Sequence, residues 1–115
     1  MLKVRNVTKK FGELTAVNDL SFDVSAGQVF GIAGPNGAGK TSFLLACTGI
    51  LPFHAGQLSV FGLNPMDRAS RYELPRHVGL VMQQSDDQLF NPTVLDDVAF
   101  GPLNLGLSKD EVRQR

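Results

Sequence analysis

The sequence predicts an α/β fold in which a small antiparallel β-region precedes a buried strand, a glycine-rich loop and a helix. Three observations carry that reading. Apolar and polar residues alternate loosely over residues 2–7 and 14–24, the period of a strand with one covered face. Val29, Phe30, Ile32 and Ala33 form a nearly continuous apolar run, the composition of a strand buried on both faces. That run leads directly into Gly34-Pro35-Asn36-Gly37-Ala38-Gly39-Lys40-Thr41, after which Phe43, Leu44, Cys47 and Leu51 recur at helical spacing.

Taken in order, "LKVRNV" alternates apolar Leu2, Val4 and Val7 loosely with polar residues, which predicts an edge strand. "LTAVNDLSFDV" repeats the alternation through Leu20, Phe22 and Val24, and "SAG", ending at Gly27, is a turn. The helix after Lys40 is bounded by Gly49 and Pro52. "GQLSVFG" predicts a short strand between Gly56 and Gly62, and "HVGLVMQ" another through Val78, Leu80, Val81 and Met82. Thr93 and Asp96 have capping-box spacing and open a helix that Gly101 and Pro102 are expected to stop. Ser108 and Glu111 repeat the spacing, so a further helix starts near Lys109. It runs about two turns, too few to stand alone, and this predicts an incomplete domain.

The 115 residues fit one small domain or part of a larger one, and 43% hydrophobic content suffices for a core. Eleven basic residues balance eleven acidic ones, which removes the basic field that nucleic-acid binding needs. Cys47 is the sole cysteine, so no intramolecular disulfide can form, and its apolar surroundings predict a buried thiol. "MLKVRNVTKKFG" lacks the apolar stretch of a secretory signal. No apolar run reaches the roughly 18–20 residues of a membrane span, so a cytosolic chain is expected. His54 and His77 lack metal-ligand spacing and are read as structural.

Gly34-x-x-x-x-Gly39-Lys40-Thr41 is a complete P-loop. Glycines let successive N–H groups turn toward one anion, and the following helix adds its positive pole. Lys40 supplies charge to the β- and γ-phosphates, and the Thr41 hydroxyl can ligate Mg²⁺. The GTPase patterns Asp-x-x-Gly and Asn-Lys-x-Asp do not occur in the sequence, and an antiparallel strand pair ahead of the loop is unusual for small-molecule kinases.

The stretch from "VTKKFG" through "GQLSVFG" resembles the N-terminal half of an ABC transporter ATPase subunit. The resemblance implies a P-loop NTPase (RecA-like) core with an N-terminal antiparallel β-subdomain, truncated before the end of the helical subdomain, residues 1–115 being the N-terminal part of the nucleotide-binding domain. It implies that Phe11 stacks on adenine and that Val17 flanks base and ribose. Such stacking is worth about 1–3 kcal/mol and reads no base edge. Residues Gly34 to Thr41, with Ser42, would hold the phosphates. Gln83 in "VGLVMQQ" matches the family's Q-loop glutamine, which reaches Mg²⁺ and the attacking water; its amide both accepts and donates. Lys40 and Gln83 are the catalytic candidates, Thr41 and Gln83 the metal candidates, with ATP and Mg²⁺ as ligands.

"DDQLF", "PTV", "DVAFGP" and "NLGLS", in that order, narrow the resemblance to ATPase subunits of energy-coupling factor importers, which take up cobalt, nickel and vitamins. Met82 and Gln84-Ser85 depart from that group's usual Phe and Asp-Pro. The resemblance implies two partners. One is a second ATPase, a copy or a paralogue, closed head-to-tail. The other is a transmembrane coupling subunit received in a groove near Asp86, Asp87, Leu89 and Phe90. The site of action would be the cytoplasmic face of the cell membrane, with no nucleic acid involved. The family's signature sequence, Walker B aspartate with catalytic glutamate, and switch histidine do not occur within these residues. The 115 residues alone are therefore expected to bind nucleotide weakly and not to turn it over. A non-transport ABC ATPase and a non-catalytic nucleotide-binding remnant remain alternatives.

Overall fold

The first long strand is not at an edge. In the computed structural model, which describes residues 1–84 and 86–114 and, of Asp87, the backbone only, β1 (Leu2–Phe11) is the middle strand of three. It pairs antiparallel with β2 (Leu14–Val24) on one side and with β3 (Ala55–Val60) on the other, in the order β2-β1-β3. β1 reads as an edge strand because its alternation breaks at Asn6. That residue sits at φ 51 in a β-bulge, which shifts the inward face from Val4 to Val7. The bulge is matched across the ladder. Asp19 also has φ 51, Asn6 Nδ2 donates to Asp19 Oδ1 at 2.7 Å, and Asn6 N–H donates to Ser21 Oγ at 2.8 Å.

The chain divides into two units, Met1–Gly79 and the residues from Leu80 onward. In the first, α1 (Lys40–Cys47) lays Phe43, Ala46 and Cys47 against the sheet face carrying Val4, Val7, Val17, Leu58 and Val60, and Leu74 closes the cluster. The spacing i, i+3, i+4 puts those three helical residues on one stripe. α1 ends before Leu51. Gly49 N–H bonds the Ala46 carbonyl at 3.1 Å and Ile50 N–H the Leu45 carbonyl at 3.2 Å, closing the last turn. α2 (Arg68–Glu73) and the 3₁₀ turn Leu74–Arg76 carry no apolar periodicity and bury only Leu74. An Asx turn sets them up, with Met66 N–H bonded to Asn64 Oδ1 at 3.0 Å and Asn64 Nδ2 to Asp67 Oδ1 at 3.2 Å.

Two expected strands do not form. Residues 28–34 and 77–82 have no ladder, and Val29 (102% exposed) and Val81 (85% exposed) stand open. An apolar run becomes a buried parallel strand only when neighbours pair with its edges and cover its faces, and among the described residues none does. The first run is instead held by rings: Phe30 stacks on Phe22 at 4.7 Å, and Phe22 tilts against Phe43 at 5.5 Å.

In the second unit α3 (Val94–Asn104) passes through Gly101 and Pro102, where the sequence predicts a stop. Pro102 lies in the last turn and forfeits one hydrogen bond there. The end is set by Gly106 (φ 84), whose N–H bonds the Leu103 carbonyl at 2.9 Å while Leu107 N–H reaches the Pro102 carbonyl at 3.2 Å. The first box forms its side-chain cap and the second forms both of its bonds. Thr93 Oγ1 accepts from Asp96 N–H at 3.2 Å, and Glu111 Oε2 accepts from Ser108 N–H at 2.8 Å at the start of α4 (Lys109–Gln114).

Candidate functional site

The glycine loop joins the ring-held segment 28–33 to α1 and leans on β2. Gly39, at φ 82, is the N-cap of α1. A β-carbon there would overlap the Ala16 carbonyl oxygen and lie 3.1 Å from Val17 Cγ2, so only glycine lets the loop pass this close to the strand. No side chain caps α1 and no acidic residue stands in its first turn. Its positive end is therefore left to an anion. Lys40 Nζ folds back over the loop, donating to the Gly34 carbonyl at 2.7 Å and the Pro35 carbonyl at 2.8 Å. Ala38 N–H closes the loop onto the Pro35 carbonyl at 3.2 Å, and Asn36 and Gly37 are exposed at its crest.

Thr41 is exposed in the first turn of α1 and Ser42 is half-buried beside it. Among the described residues no cluster of three metal-ligating side chains exists. The exposed Thr41 hydroxyl is a hard oxygen donor of the kind Mg²⁺ accepts alongside phosphates and water. A cleft of about 720 Å³ opens between β2, residues 30–33 and the loop, lined in part by Ala16, Val17, Phe22, Gly37 and Lys40.

Phe11 ends β1 and is 46% exposed, so it is not a core residue. Val17 is buried, paired across the ladder with Lys9. His54 is structural, its Nδ1 accepting from Lys10 N–H at 3.2 Å next to Phe11. His77 stacks on Phe61 at 5.9 Å and meets Glu73 Oε1 at 3.3 Å. Burial pushes the Cys47 thiol up to about 12, which keeps it protonated and inert.

Gln83 belongs to the second unit, exposed at a bend. The side chain that braces its approach is one the sequence reading did not single out: Gln88. Its Oε1 accepts from Met82 N–H and its Nε2 donates to the Leu80 carbonyl, both at 3.3 Å. Asp86 opens a 3₁₀ turn (Asp86–Gln88) and is exposed, as are Leu89 and Phe90; the Asp87 side chain lies outside the described residues. Phe90 packs edge-on against Phe100 at 4.7 Å. Asp97 Oδ1 ties down Phe90 N–H at 3.3 Å, Asn91 N–H at 3.0 Å and Asn91 Nδ2 at 2.8 Å. The Asn91 amide first, then those backbone donors, hold the Asp97 carboxyl below its usual range against some opposing desolvation.

Comparison with known proteins gives a consistent result. The family model described as ABC transporter matches residues 17–114. An energy-coupling factor transporter ATP-binding protein of Methanocaldococcus jannaschii is 42% identical over 118 residues, covering 100% of this chain and 42% of that protein. A cobalt import ATP-binding protein of Rhodobacter capsulatus is 47% identical over 105 residues, covering 90% of this chain and 38% of the relative. Among solved structures, cbiO1 of Clostridium perfringens, described as part of the ABC transporter complex cbiONQ, superposes with a TM-score of 0.80 at 32% identity. It covers 98% of this chain and 46% of that one. An ATP-binding cassette dimer with ADP and Pi matches in fold, with a TM-score of 0.83 at 24% identity over 99% of this chain and 53% of that one. The chain thus spans about two-fifths of the length of the curated relatives it matches.

Proposed function

Since this chain belongs to the ABC transporter family and is similar to ATP-binding proteins of energy-coupling factor and cobalt importers, we propose that it supplies the nucleotide-binding half of an ATP-driven import motor for a metal ion or vitamin. The observation that carries this reading is the loop itself. An uncapped helix start, Gly39 packed against β2 and a lysine ammonium held at the loop make a polyphosphate cradle.

Within it, the backbone N–H groups of Asn36, Gly37 and Gly39 turn to the phosphates, Gly34, Pro35 and Ala38 shape the loop that carries them, and Lys40 moves from the loop carbonyls onto phosphate oxygens. Thr41 and Ser42 complete the first turn. Mg²⁺ bound with ATP would neutralise phosphate charge, with the Thr41 hydroxyl as its ligand from the loop, and Gln83 is proposed as the Q-loop glutamine. Phe11 stacks on the base and Val17 flanks it. Hydrolysis draws on further parts supplied by the longer protein and by a second ATPase closed head-to-tail. Asp86, Asp87, Leu89 and Phe90 form the contact with a transmembrane partner at the cytoplasmic face of the membrane. Among the described residues no helix is long and apolar enough to cross a membrane.

The test is ATP binding and hydrolysis by the full-length protein with its membrane partner, with and without Lys40→Ala. Charge-assisted hydrogen bonds are worth about 1.5–3 kcal/mol, so nucleotide affinity should fall about 10- to 150-fold and turnover should be lost. Unchanged binding and turnover in the variant would remove the cradle from the mechanism.

A further inference from the structure

Lys9 is the one charged residue in the buried set of the described chain, 6% exposed, on the core face of β1 in line with Val4 and Val7. Its neighbours Lys3 and Lys10 are exposed in the ordinary way. A lysine in such a place needs compensation for its lost hydration. Among the described residues no carboxylate forms an ion pair with it. Its ammonium lies instead over the ring of Phe11, 4.6 Å from the centroid, within the range of a cation–π contact. Phe11 remains 46% exposed, so the cation covers part of the ring and leaves apolar surface to a ligand. In the ladder Lys9 stands opposite Val17, whose side chain meets the close approach of Gly39. One short patch therefore joins the lysine, the aromatic ring and the end of the phosphate loop.

We infer that Lys9 is a positioning and specificity-determining residue of the base subsite: its ammonium holds one face of Phe11 and presents the opposite face to a nucleobase. The inference rests on the reading of Phe11 as the base platform. Two physical effects follow from the contact. The ring is fixed before the ligand arrives, which lowers the ordering cost of binding. The cation also draws on the ring's π-density, so the open face becomes a better partner for an electron-rich purine. Edge-blind stacking thereby gains a preference by ring electronics where hydrogen bonds give none.

The test uses the full-length protein and compares ATP, CTP and inorganic tripolyphosphate by calorimetry for wild type, Lys9→Met, Lys9→Arg, Phe11→Ala and the Lys9→Met/Phe11→Ala pair. Lys9→Met should weaken ATP about three- to tenfold, weaken CTP less, and leave tripolyphosphate unchanged; the last also reports that the variant is folded. Lys9→Arg keeps a cation over the ring and should stay within about twofold of wild type. Adding Lys9→Met to Phe11→Ala should cost nothing further, because the ring through which the lysine acts is gone. Equal loss for ATP and tripolyphosphate would make Lys9 a phosphate or folding residue and overturn the inference. So would unchanged ATP affinity in Lys9→Met while Phe11→Ala weakens it, which leaves the platform standing. Unchanged ATP affinity in Phe11→Ala would bring down the platform reading itself.

Discussion

Gly37 and Gly39 offer a matched pair for separating torsion from contact in the phosphate loop. They have nearly the same left-handed backbone, φ 83 and φ 82. A methyl added at Gly37 meets nothing within 4 Å, while one at Gly39 overlaps the Ala16 carbonyl oxygen and approaches Val17 Cγ2 to 3.1 Å. Left-handed torsion costs an alanine about 1–2 kcal/mol, and that is the whole expected cost of Gly37→Ala. Gly39→Ala bears the same cost plus displacement of loop from strand, an overpacking penalty of about 1–3 kcal/mol. The expected totals are about 1–2 kcal/mol for the first and about 2–5 kcal/mol for the second. Urea unfolding of each variant of the full-length protein without nucleotide reads the difference directly, at constant slope. ATP affinity should follow, since a displaced Gly39 takes the first N–H groups of α1 with it. Equal destabilisation by the two substitutions would show that Ala16 does not brace the loop and that the close approach has no energetic role.

The remaining predictions concern titration and capping. The Cys47 thiol is raised from 9.0 to about 12 by burial. The unfolded chain therefore loses its proton first, and stability should fall as pH rises above about 9 and level off only near 12; Cys47→Ala should flatten that limb of a pH-dependent melt. Asp97 is held below its ordinary value of 3.8, so its contribution is present above that pH and lost as pH falls through the lower folded value. Protection of the Phe90 and Asn91 amides, relative to their intrinsic exchange, should fall in the same acid range, and Asp97→Ala should remove that protection at higher pH. Thr93→Ala removes the cap of α3, which should cost about 1 kcal/mol, read as faster exchange in the first turn of that helix alone.

What could be read from the sequence was what is decided within a few residues. The loop from Gly34 to Thr41 and the two side-chain caps, at Thr93 and Ser108, are set by spacing along the chain, and the structure forms all three. Features decided by distant neighbours were read less well. The run Val29–Ala33 has the composition of a buried strand, but composition cannot supply the ladders that make one. β1 looked like an edge strand because the Asn6 bulge blurs its alternation, and its central place comes from β3, more than 40 residues further on. Pro102 looked like a stop because the cost of a proline is counted for a helix interior, whereas here the last turn absorbs it before Gly106.

The inward face of Lys9 depends on the same irregularity in β1. In sequence Lys9 is one of two adjacent lysines, and an adjacent pair on a strand points to opposite faces. One of them had to face inward unless the alternation broke. The preceding residues place Val7 on the inner face, so the inward one is Lys9, and the same parity puts Phe11 two residues on along that side. The contact between ammonium and ring was therefore implied once the bulge at Asn6 was known, and was out of reach before it. The positive φ of Asn6, matched by Asp19 across the ladder, is thus what connects a local irregularity in β1 to the chemistry at its end. Replacing Asn6 with a residue that resists this torsion should turn Lys9 outward, off the Phe11 ring, and weaken ATP in calorimetry as Lys9→Met does.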